Sequence, residues 1–593
     1  MAERTLGWIQ NPSSFENLKS VVSVFDKNTD IYKEILNTKL PNLVNDIELK
    51  EKLIAEMRKD PLKMDYVLLK GHGIKSGQKR ANAECSGIVQ AAIITQGGRE
   101  YTDDWTADGF LRWGISIGLL DYDTEKDTVS ITELGEKFVK SKSDDSDKEI
   151  LTTAFLSYPP AVRILTLLEN GNHLTKFELG KQLGGLGEAG FTSIPQDLYI
   201  QAIELASDTD KASIRSNTEG SADKYARMIS GWLAKVGLVQ RVEKQVSTKI
   251  GNTEYSVNIG HSFRITLKGI KELKRARGLS SYPKSNKIVY WQMLATKGKD
   301  RDYIRNRRGN IIKAINNKER KLEDMRNYLL ENDIDESITT IEDELKVIEA
   351  MGLSLKQNRS GYVIDDNIIK LEIPRTKISK TNILELKDKV RDKLSYVDHR
   401  YLSLIDLAYD GTANRDFEIQ TIDLLINELK FKGVRLGESR KPDGIISYDI
   451  NGVIIDNKAY STGYNLPINQ ADEMIRYIEE NQTRDEKINS NKWWESFDDR
   501  VKDFNYLFVS SFFKGNFKNN LKHIANRTGV NGGAINVENL LYLAEEIKSG
   551  RLSYIDSFKI YENDEIFADK NIDYTEMKIA AEDNDNYNFK KIK

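Results

Sequence analysis

The chain has 593 residues, of which 39 % are hydrophobic and 30 % charged, with 88 Lys and Arg against 91 Asp and Glu and a formal charge of -3. At roughly 100–200 residues per domain this is material for about three to five globular domains, and no apolar run approaches the roughly 20 residues of a membrane span. The lone Cys85 excludes an internal disulfide and a cysteine-based zinc site.

The first section, to about residue 148, carries a polar, glycine-rich stretch from Lys70 to Arg80 with Lys75 and Lys79 between them. It reads as a loop that contacts phosphate or enters a groove, or as a plain solvated loop. In the second section, 149–285, helical apolar spacing runs through Ala161–Leu168. Thr175 and Glu178 are spaced as a capping box. Ser221 to Leu233 reads as an amphipathic helix that Gly237 can close, and two β-like runs follow at 238–248 and 254–267. Helix, turn, helix and β-wing is a winged-helix outline. Lys224 and Arg227, three apart, share the face that would enter a major groove. The third section, 286–375, repeats the outline. A helix over 301–316 carries Arg301, Arg305, Arg307, Arg308 and Lys313, further helices span 319–331 and 335–351, and a wing surrounds Arg359-Ser360-Gly361. Winged helices also serve as protein–protein modules.

A polar linker is expected over 376–383, a last domain over 384–567, and a polar tail over 568–593. The chemistry is expected in that last domain, in Pro442-Asp443-Gly444 followed by Asp456-Asn457-Lys458 on an apolar β-run. Strand alternation points Asp456 and Lys458 the same way. Two carboxylates suit Mg²⁺, a hard cation, with the Asn457 carbonyl as a further ligand. Lys458 suits orienting water and stabilising a phosphoryl transition state. A turn at Asn451-Gly452 would set Ser447 opposite Asp456 and leave Asp443 offset by four residues, roughly 13 Å. Glu418, on a helix from Phe417 to Leu429, is either a further acidic contributor to the site or, as the better reading, a surface glutamate. The plain alternative for the whole motif is a hairpin with exposed charges.

At these residues the sequence resembles the FokI-type type IIS restriction endonucleases, within the PD-(D/E)xK nuclease superfamily. The strings that carry the likeness are Gly437 to Gly444, Asp456 to Ser461, Gly463 to Ile468 and Gln470 to Arg484. In the N-terminal half they are Gly7 to Pro12, Asp108 to Trp113, Ser157 to Leu168, His173 to Phe177 and Asp223 to Met228. The resemblance implies a multidomain α+β chain, with N-terminal winged-helix-like DNA-recognition subdomains. It also implies a C-terminal α/β PD-(D/E)xK nuclease domain, built on a central mixed sheet flanked by helices. The implied activity is Mg²⁺-dependent hydrolysis of both strands of duplex DNA at a fixed distance from an asymmetric site, GGATG.

By motif match, Asp443, Asp456 and Lys458 carry catalysis. Gln10, Asn11, Arg80, Gln96, Trp105, Glu219, Lys224 and Arg227 match positions of DNA contact. Asp472 and Arg476 match a transient homodimer contact through the nuclease domain. From spacing alone the latter two read as an intrahelical i,i+4 pair. The family's Asn-Asn-Trp-Glu run is here Ser216-Asn217-Thr218-Glu219, which puts one base contact in doubt. The implied setting is the bacterial cytoplasm, beside a protective DNA methyltransferase and away from any membrane; an N-terminus without a signal-peptide pattern agrees. The competing readings are a structure-directed repair or transposition nuclease, a non-catalytic DNA-binding regulator and a winged-helix scaffold.

Overall fold

The computed structural model of the chain describes residues 4–74, 78–95, 97–250, 253–375, 378–437 and 440–568. Gln96, Lys75 and all but the first residue of the polar tail lie outside them.

The winged-helix outline of the second section is present, with changes. Thr175 caps the short helix Lys176–Gly180: its hydroxyl accepts the Glu178 N–H at 3.2 Å, and its own N–H reaches Glu178 Oε2 at 2.7 Å. The expected long helix is α1 (Ser221–Lys235), followed by the wing strands β1 (Val239–Ile250) and β2 (Thr253–Ile265), antiparallel to each other. Asp223, in the first turn of α1, fixes where that helix starts. Its carboxylate is fully buried and accepts from the Gly220 and Ile194 N–H groups and the Ser193 hydroxyl at 2.9, 2.8 and 2.6 Å.

Two helices that no pattern announced, Gln196–Glu204 and Asp208–Asn217, precede α1. Their apolar residues Leu198, Ile200, Ile203 and Ile214 join one buried cluster with Phe417, Ile419 and Ile422 of the last domain. The third section contains α2 (Arg301–Ile315), helices Leu322–Leu330 and Ile338–Ala350, and a two-stranded wing, Leu355–Asn358 with Gly361–Ile364.

One core runs through the three N-terminal sections, and the first residues of the chain tie them together. The Trp8 indole donates to the Met293 carbonyl and the Trp232 indole to the Pro12 carbonyl, each at 2.8 Å. Trp232 also stacks on Trp113 at 4.6 Å, an arrangement worth about 0.5–1.5 kcal/mol beyond its buried area. Gly7 sits at φ +82°, and a Cβ there would lie 2.4 Å from Met293 Cβ, so no other residue fits the crossing.

The last domain opens with α3 (Asn382–Arg391) and α4 (Asn414–Asp423), the latter running on through a π turn to Glu428. A six-stranded mixed sheet follows: β3 (Lys432–Arg435), β4 (Gly444–Tyr448), β5 (Asn451–Lys458), β6 (Asp503–Ser510), β7 (Gly532–Asn536) and β8 (Asp564–Glu565), in that order. The first two pairs are antiparallel and the rest parallel. Alternation along β5 sorts the core into layers. Val453 and Ile455 face α4 and helix Val537–Lys548, while Ile454 faces α5 (Ile468–Thr483) and helix Phe517–Thr528.

The β4–β5 turn lies at Asp449-Ile450, not at the expected Asn451-Gly452: Tyr448 pairs with Asn451 and Ser447 with Gly452. Asp449 adopts φ 53°, a conformation Asp tolerates. Gly452 serves packing instead of turning, since a Cβ there would lie 2.8 and 2.9 Å from Val501 and Phe497 side-chain atoms.

Three arginines of α2 turn inward. Arg305, Arg307 and Arg308 are buried. Arg307 pairs with Glu336 at 3.0 Å and with Glu344, and Arg308 pairs with Glu344 and Glu188. Arg307 and Arg308 are internal staples whose partners come from distant parts of the chain, while Arg305 is held locally by Asp302 and the Ala295 carbonyl.

Candidate active site and candidate DNA interface

The two-residue shift of the turn removes the predicted four-residue offset. The last β4–β5 pair is Gly444 with Ile455, so continuing the ladder one step sets Asp443 across from Asp456. The Asp443 carbonyl accepts from the Leu436 and Gly437 N–H groups at 2.9 and 3.2 Å, and its Oδ2 accepts the Asn457 N–H at 2.5 Å. Lys458 shares the Asp456 face as alternation required, with Nζ 2.9 Å from Asp456 Oδ2.

Both carboxyls are pushed up to about 7, chiefly by burial. The Glu418 charge adds to this for Asp443, and the Asp443 charge for Asp456. Burial works against the Lys458 charge, yet Asp456 and Asp443 together carry its ammonium above the ordinary lysine value.

Glu418 is not the surface residue the pattern suggested. Its side chain is 13 % exposed and lies 2.8 Å from Arg435 Nε. Burial pushes its carboxyl up against the pull of that arginine. Glu473 of α5 was missed altogether. It accepts from the Tyr477 hydroxyl at 3.0 Å, from Arg476 at 3.1 Å and from Gln470 at 3.1 Å, and its charge bears on Asp456 and Lys458. Nothing local in its sequence marks it, because only the packing of α5 on the sheet brings it there.

The donor set fits a hard divalent cation. Two carboxylates, Asp456 buried and Asp443 half-buried, stand across the hairpin from each other, too crowded to ionise together cheaply, beside a strand carbonyl; water and phosphate oxygens would complete the shell. Among the described residues no group of three or more His, Cys, Asp or Glu side chains is arranged to hold a metal, so the ion would keep several non-protein ligands, as Mg²⁺ does.

Asp472 and Arg476 do not pair. Asp472 is 57 % exposed, with His523 at 3.9 Å, while Arg476 leans on Glu473 and, at 3.8 Å, on Glu480.

On the N-terminal side, Ser221, Lys224 and Arg227 form a half-exposed stripe on α1. Lys224 lies near Asp416 of α4, and Arg415 donates to Thr218 Oγ1 at 3.1 Å. Glu219 is not open to a base: its side chain is 6 % exposed and is held by Lys176 and Arg227. Those two cations hold its carboxyl below the usual range although burial alone would raise it. The Arg80 guanidinium sits 4.2 Å over the exposed Trp105 ring. Gln10 bonds the Tyr225 hydroxyl from the N-terminal segment, and Asn11 beside it is exposed. The Ser216 and Asn217 side chains are outside the description.

Residues 380–567 match the FokI cleavage domain. Residues 4–141 and 147–283 match subdomains 1 and 2 of the FokI recognition domain, and residues 294–360 match the FokI D3 domain. The type II restriction enzyme FokI of Planomicrobium okeanokoites is 43 % identical over 576 residues, 95 % of this chain and 99 % of that one. The chain belongs to the FokI family of type II restriction endonucleases. A second member, StsI of Streptococcus sanguinis, is 30 % identical over 558 residues, 91 % of each chain. The solved structure of FokI superimposes with a TM-score of 0.88 at 43 % identity, covering 95 % of this chain and 100 % of that one. The structure of FokI bound to DNA gives 0.89 at 42 % identity with the same coverage. The family assignment accounts for the whole fold, recognition subdomains first and cleavage domain last.

Proposed function

We propose that the chain binds the asymmetric duplex site GGATG and hydrolyses both strands at a fixed distance to one side, with Mg²⁺ as cofactor. The observation that carries this is Asp443 facing Asp456, with Lys458 beside them, on a buried strand of the cleavage domain. Asp443, Asp456 and the Asn457 carbonyl would hold the ion. Bound there, Mg²⁺ supplies an electrophile for the scissile phosphate and acidifies water. Lys458 orients the attacking water and stabilises charge on the phosphoryl oxygens. Asp443 and Asp456 also offer carboxylates that take up a proton near neutrality.

The division of labour follows the chain. Residues 1–148, 149–285 and 286–375 read or support reading of DNA, 376–383 link, and 384–567 cut. Gln10, Asn11, Arg80, Trp105, Lys224 and Arg227 make up the candidate reading surface, Glu219 adjoins it, and Gln96, outside the described residues, is a candidate by motif match alone. Cutting both strands calls for a second nuclease domain, and the exposed Asp472 and half-exposed Arg476 are the candidate contact for a transient homodimer. Such an enzyme works in the bacterial cytoplasm beside a cognate methyltransferase.

The test is digestion of plasmid DNA with Mg²⁺, with both ends mapped by sequencing. Breaks at one constant distance from GGATG support the reading. Scattered breaks favour a structure-directed nuclease, and tight binding without breaks favours a regulator.

A further inference from the structure

We infer that the Asn457 side chain is a positioning residue: with its own backbone N–H it holds Asp443 by one oxygen, turns the other towards the cation, and so sets a preference for Mg²⁺ over Ca²⁺. This rests on the proposal that Asp443, Asp456 and the Asn457 carbonyl hold the ion.

Strand alternation makes an amide out of place here. Asn457 shares a face of β5 with Val453 and Ile455, opposite the face of Asp456 and Lys458. Val453 and Ile455 belong to the core under α4, and Asn457 is closed off with them, at 7 % exposed. Among the described residues neither its Oδ1 nor its Nδ2 makes a hydrogen bond. A valine would fill such a place without stranding two polar atoms, each of which is costly when buried unpaired. What the amide lies beside explains why it is kept.

That neighbour is Asp443. Its carboxylate starts one step beyond the last β4–β5 pair and leans along β5, where Oδ2 accepts the Asn457 N–H at 2.5 Å. No other hydrogen bond to this carboxylate is found among the described residues. Burial and then the Glu418 charge push the carboxyl up, while the Asn457 N–H, Lys458 and the Asn457 amide, in that order, pull it down. The amide therefore bears on Asp443 as a donor. Being neutral, it supports the carboxylate without adding a positive charge that would compete with a metal ion.

Holding one oxygen decides what the other can do. A carboxylate whose Oδ2 is engaged offers a cation Oδ1 alone. Ligation through one oxygen suits Mg²⁺, which takes a near-octahedral shell at about 2.0–2.1 Å and keeps several waters. Ca²⁺ takes about six to eight oxygens at about 2.3–2.6 Å, and carboxylates that give both oxygens help to fill its shell. Freeing Asp443 to turn therefore weakens Mg²⁺ and spares Ca²⁺. Partners that hold a ligating carboxylate typically carry about 10- to 100-fold in metal affinity. Every substitution below keeps the backbone N–H, so the lower figure is expected.

The experiment follows the melting temperature of the full chain against Mg²⁺ and, separately, Ca²⁺, which gives an apparent Kd for each. Asn457→Val and Asn457→Thr have nearly the same shape and differ by one hydroxyl donor. Asn457→Val is expected to weaken Mg²⁺ binding about tenfold and to leave Ca²⁺ binding within about twofold. Asn457→Thr should keep the wild-type preference within about threefold. The metal-free melting temperature of Asn457→Val should equal or exceed that of wild type. In plasmid nicking, Asn457→Val should raise the half-saturating Mg²⁺ concentration by the same factor as the Kd. Should Asn457→Val fold poorly, Asn457→Leu, close to the amide in volume, takes its place. Equal cation preferences in Asn457→Val and Asn457→Thr overturn the inference, because the donor would then not matter. An equal loss for both cations overturns it too, as does a lower metal-free melting temperature with the preference unchanged, which would leave the amide a packing role. A wild-type Mg²⁺ gain that survives Asp456→Asn overturns the cation reading beneath it, whatever the Asn457 variants do.

Discussion

Asp443 stands across the first nuclease hairpin from Asp456, one step beyond the last strand pair, and the Lys458 ammonium lies 2.9 Å from the buried Asp456 carboxylate. Burial pushes both up to about 7, with the Glu418 charge adding to this for Asp443 and the Asp443 charge for Asp456, above the unfolded-chain value near 3.8. The folded state therefore holds these protons more tightly than the unfolded one. Stability that is present at low pH is lost as pH rises through about 7. Without metal, the melting temperature should fall by several degrees between pH 5 and pH 8, and Mg²⁺ should recover it at pH 8. Asp456→Asn should flatten the pH dependence and remove the Mg²⁺ gain. Equal stabilisation of wild type and variant by Mg²⁺ would place the ion elsewhere.

The same pair separates cutting from reading. Asp456→Ala should reduce cleavage to background and leave site-specific duplex binding within about twofold, because the recognition stripe on α1 belongs to another core. Gel-shift and plasmid-nicking assays on one preparation decide it. Binding lost along with cleavage would sink the division of labour between the two halves.

How much of this was legible depended on where each residue's partner lies. Asp456 and Lys458 could be paired from strand alternation alone, and the Thr175 capping box from spacing. The hairpin register was misread because Gly452 carries a turn signal but answers to Phe497 and Val501, some fifty residues on. Glu418 and Glu473 reach the site through helix packing, which no local pattern encodes. That Arg307 and Arg308 lie inside the protein is not readable from their helix, because their carboxylates, Glu336, Glu344 and Glu188, come from other segments. The helices at 196–217 went unread because their apolar residues pack on a different domain.

Arg307 carries a stability prediction of its own. It is 2 % exposed and neutralises Glu336 and Glu344, and the Glu344 carboxyl, despite burial, is pulled down to about 2 by Arg307 and Arg308. Arg307→Met leaves buried carboxylates short of a countercharge and should cost about 3–5 kcal/mol. Urea unfolding monitored by tryptophan fluorescence measures this. A loss under about 1 kcal/mol would mean that Lys380, 2.9 Å from Glu336, takes over.

Docking of the nuclease on the third section should weaken with rising pH. His399 places Nδ1 2.6 Å from Asp343 Oδ2 and Nε2 3.1 Å from the Leu394 carbonyl. Burial opposes its charge, but Asp343 lifts its pKa above the ordinary 6.5. This contribution is full below 6.5 and is lost as pH climbs through the raised value. Trypsin should cut within 376–383 faster at pH 8.5 than at pH 6.5, after correction for the protease's own pH profile. His399→Gln should cut fast at both. A wild-type rate that does not change with pH would remove His399 from the docking contact.

Asp472 and Arg476 are four apart on α5 yet do not pair with each other, and each keeps exposed surface. An i,i+4 pair within the helix would have been worth a few tenths of a kcal/mol, and Arg476 forgoes it for Glu473 and Glu480. The Asp472 carboxylate is thereby left available to an arginine of a second copy. If that contact supports double-strand cutting, Asp472→Ala should raise the protein concentration needed for half-maximal linearisation by about tenfold, the effect of losing roughly 1.4 kcal/mol of association. First-strand nicking should change little, since the variant leaves Asp443, Asp456 and Lys458 in place. Titrating enzyme against supercoiled plasmid and following nicked and linear products measures both. Identical concentration dependence in wild type and variant would remove Asp472 from the dimer contact and return this face of α5 to plain solvated surface.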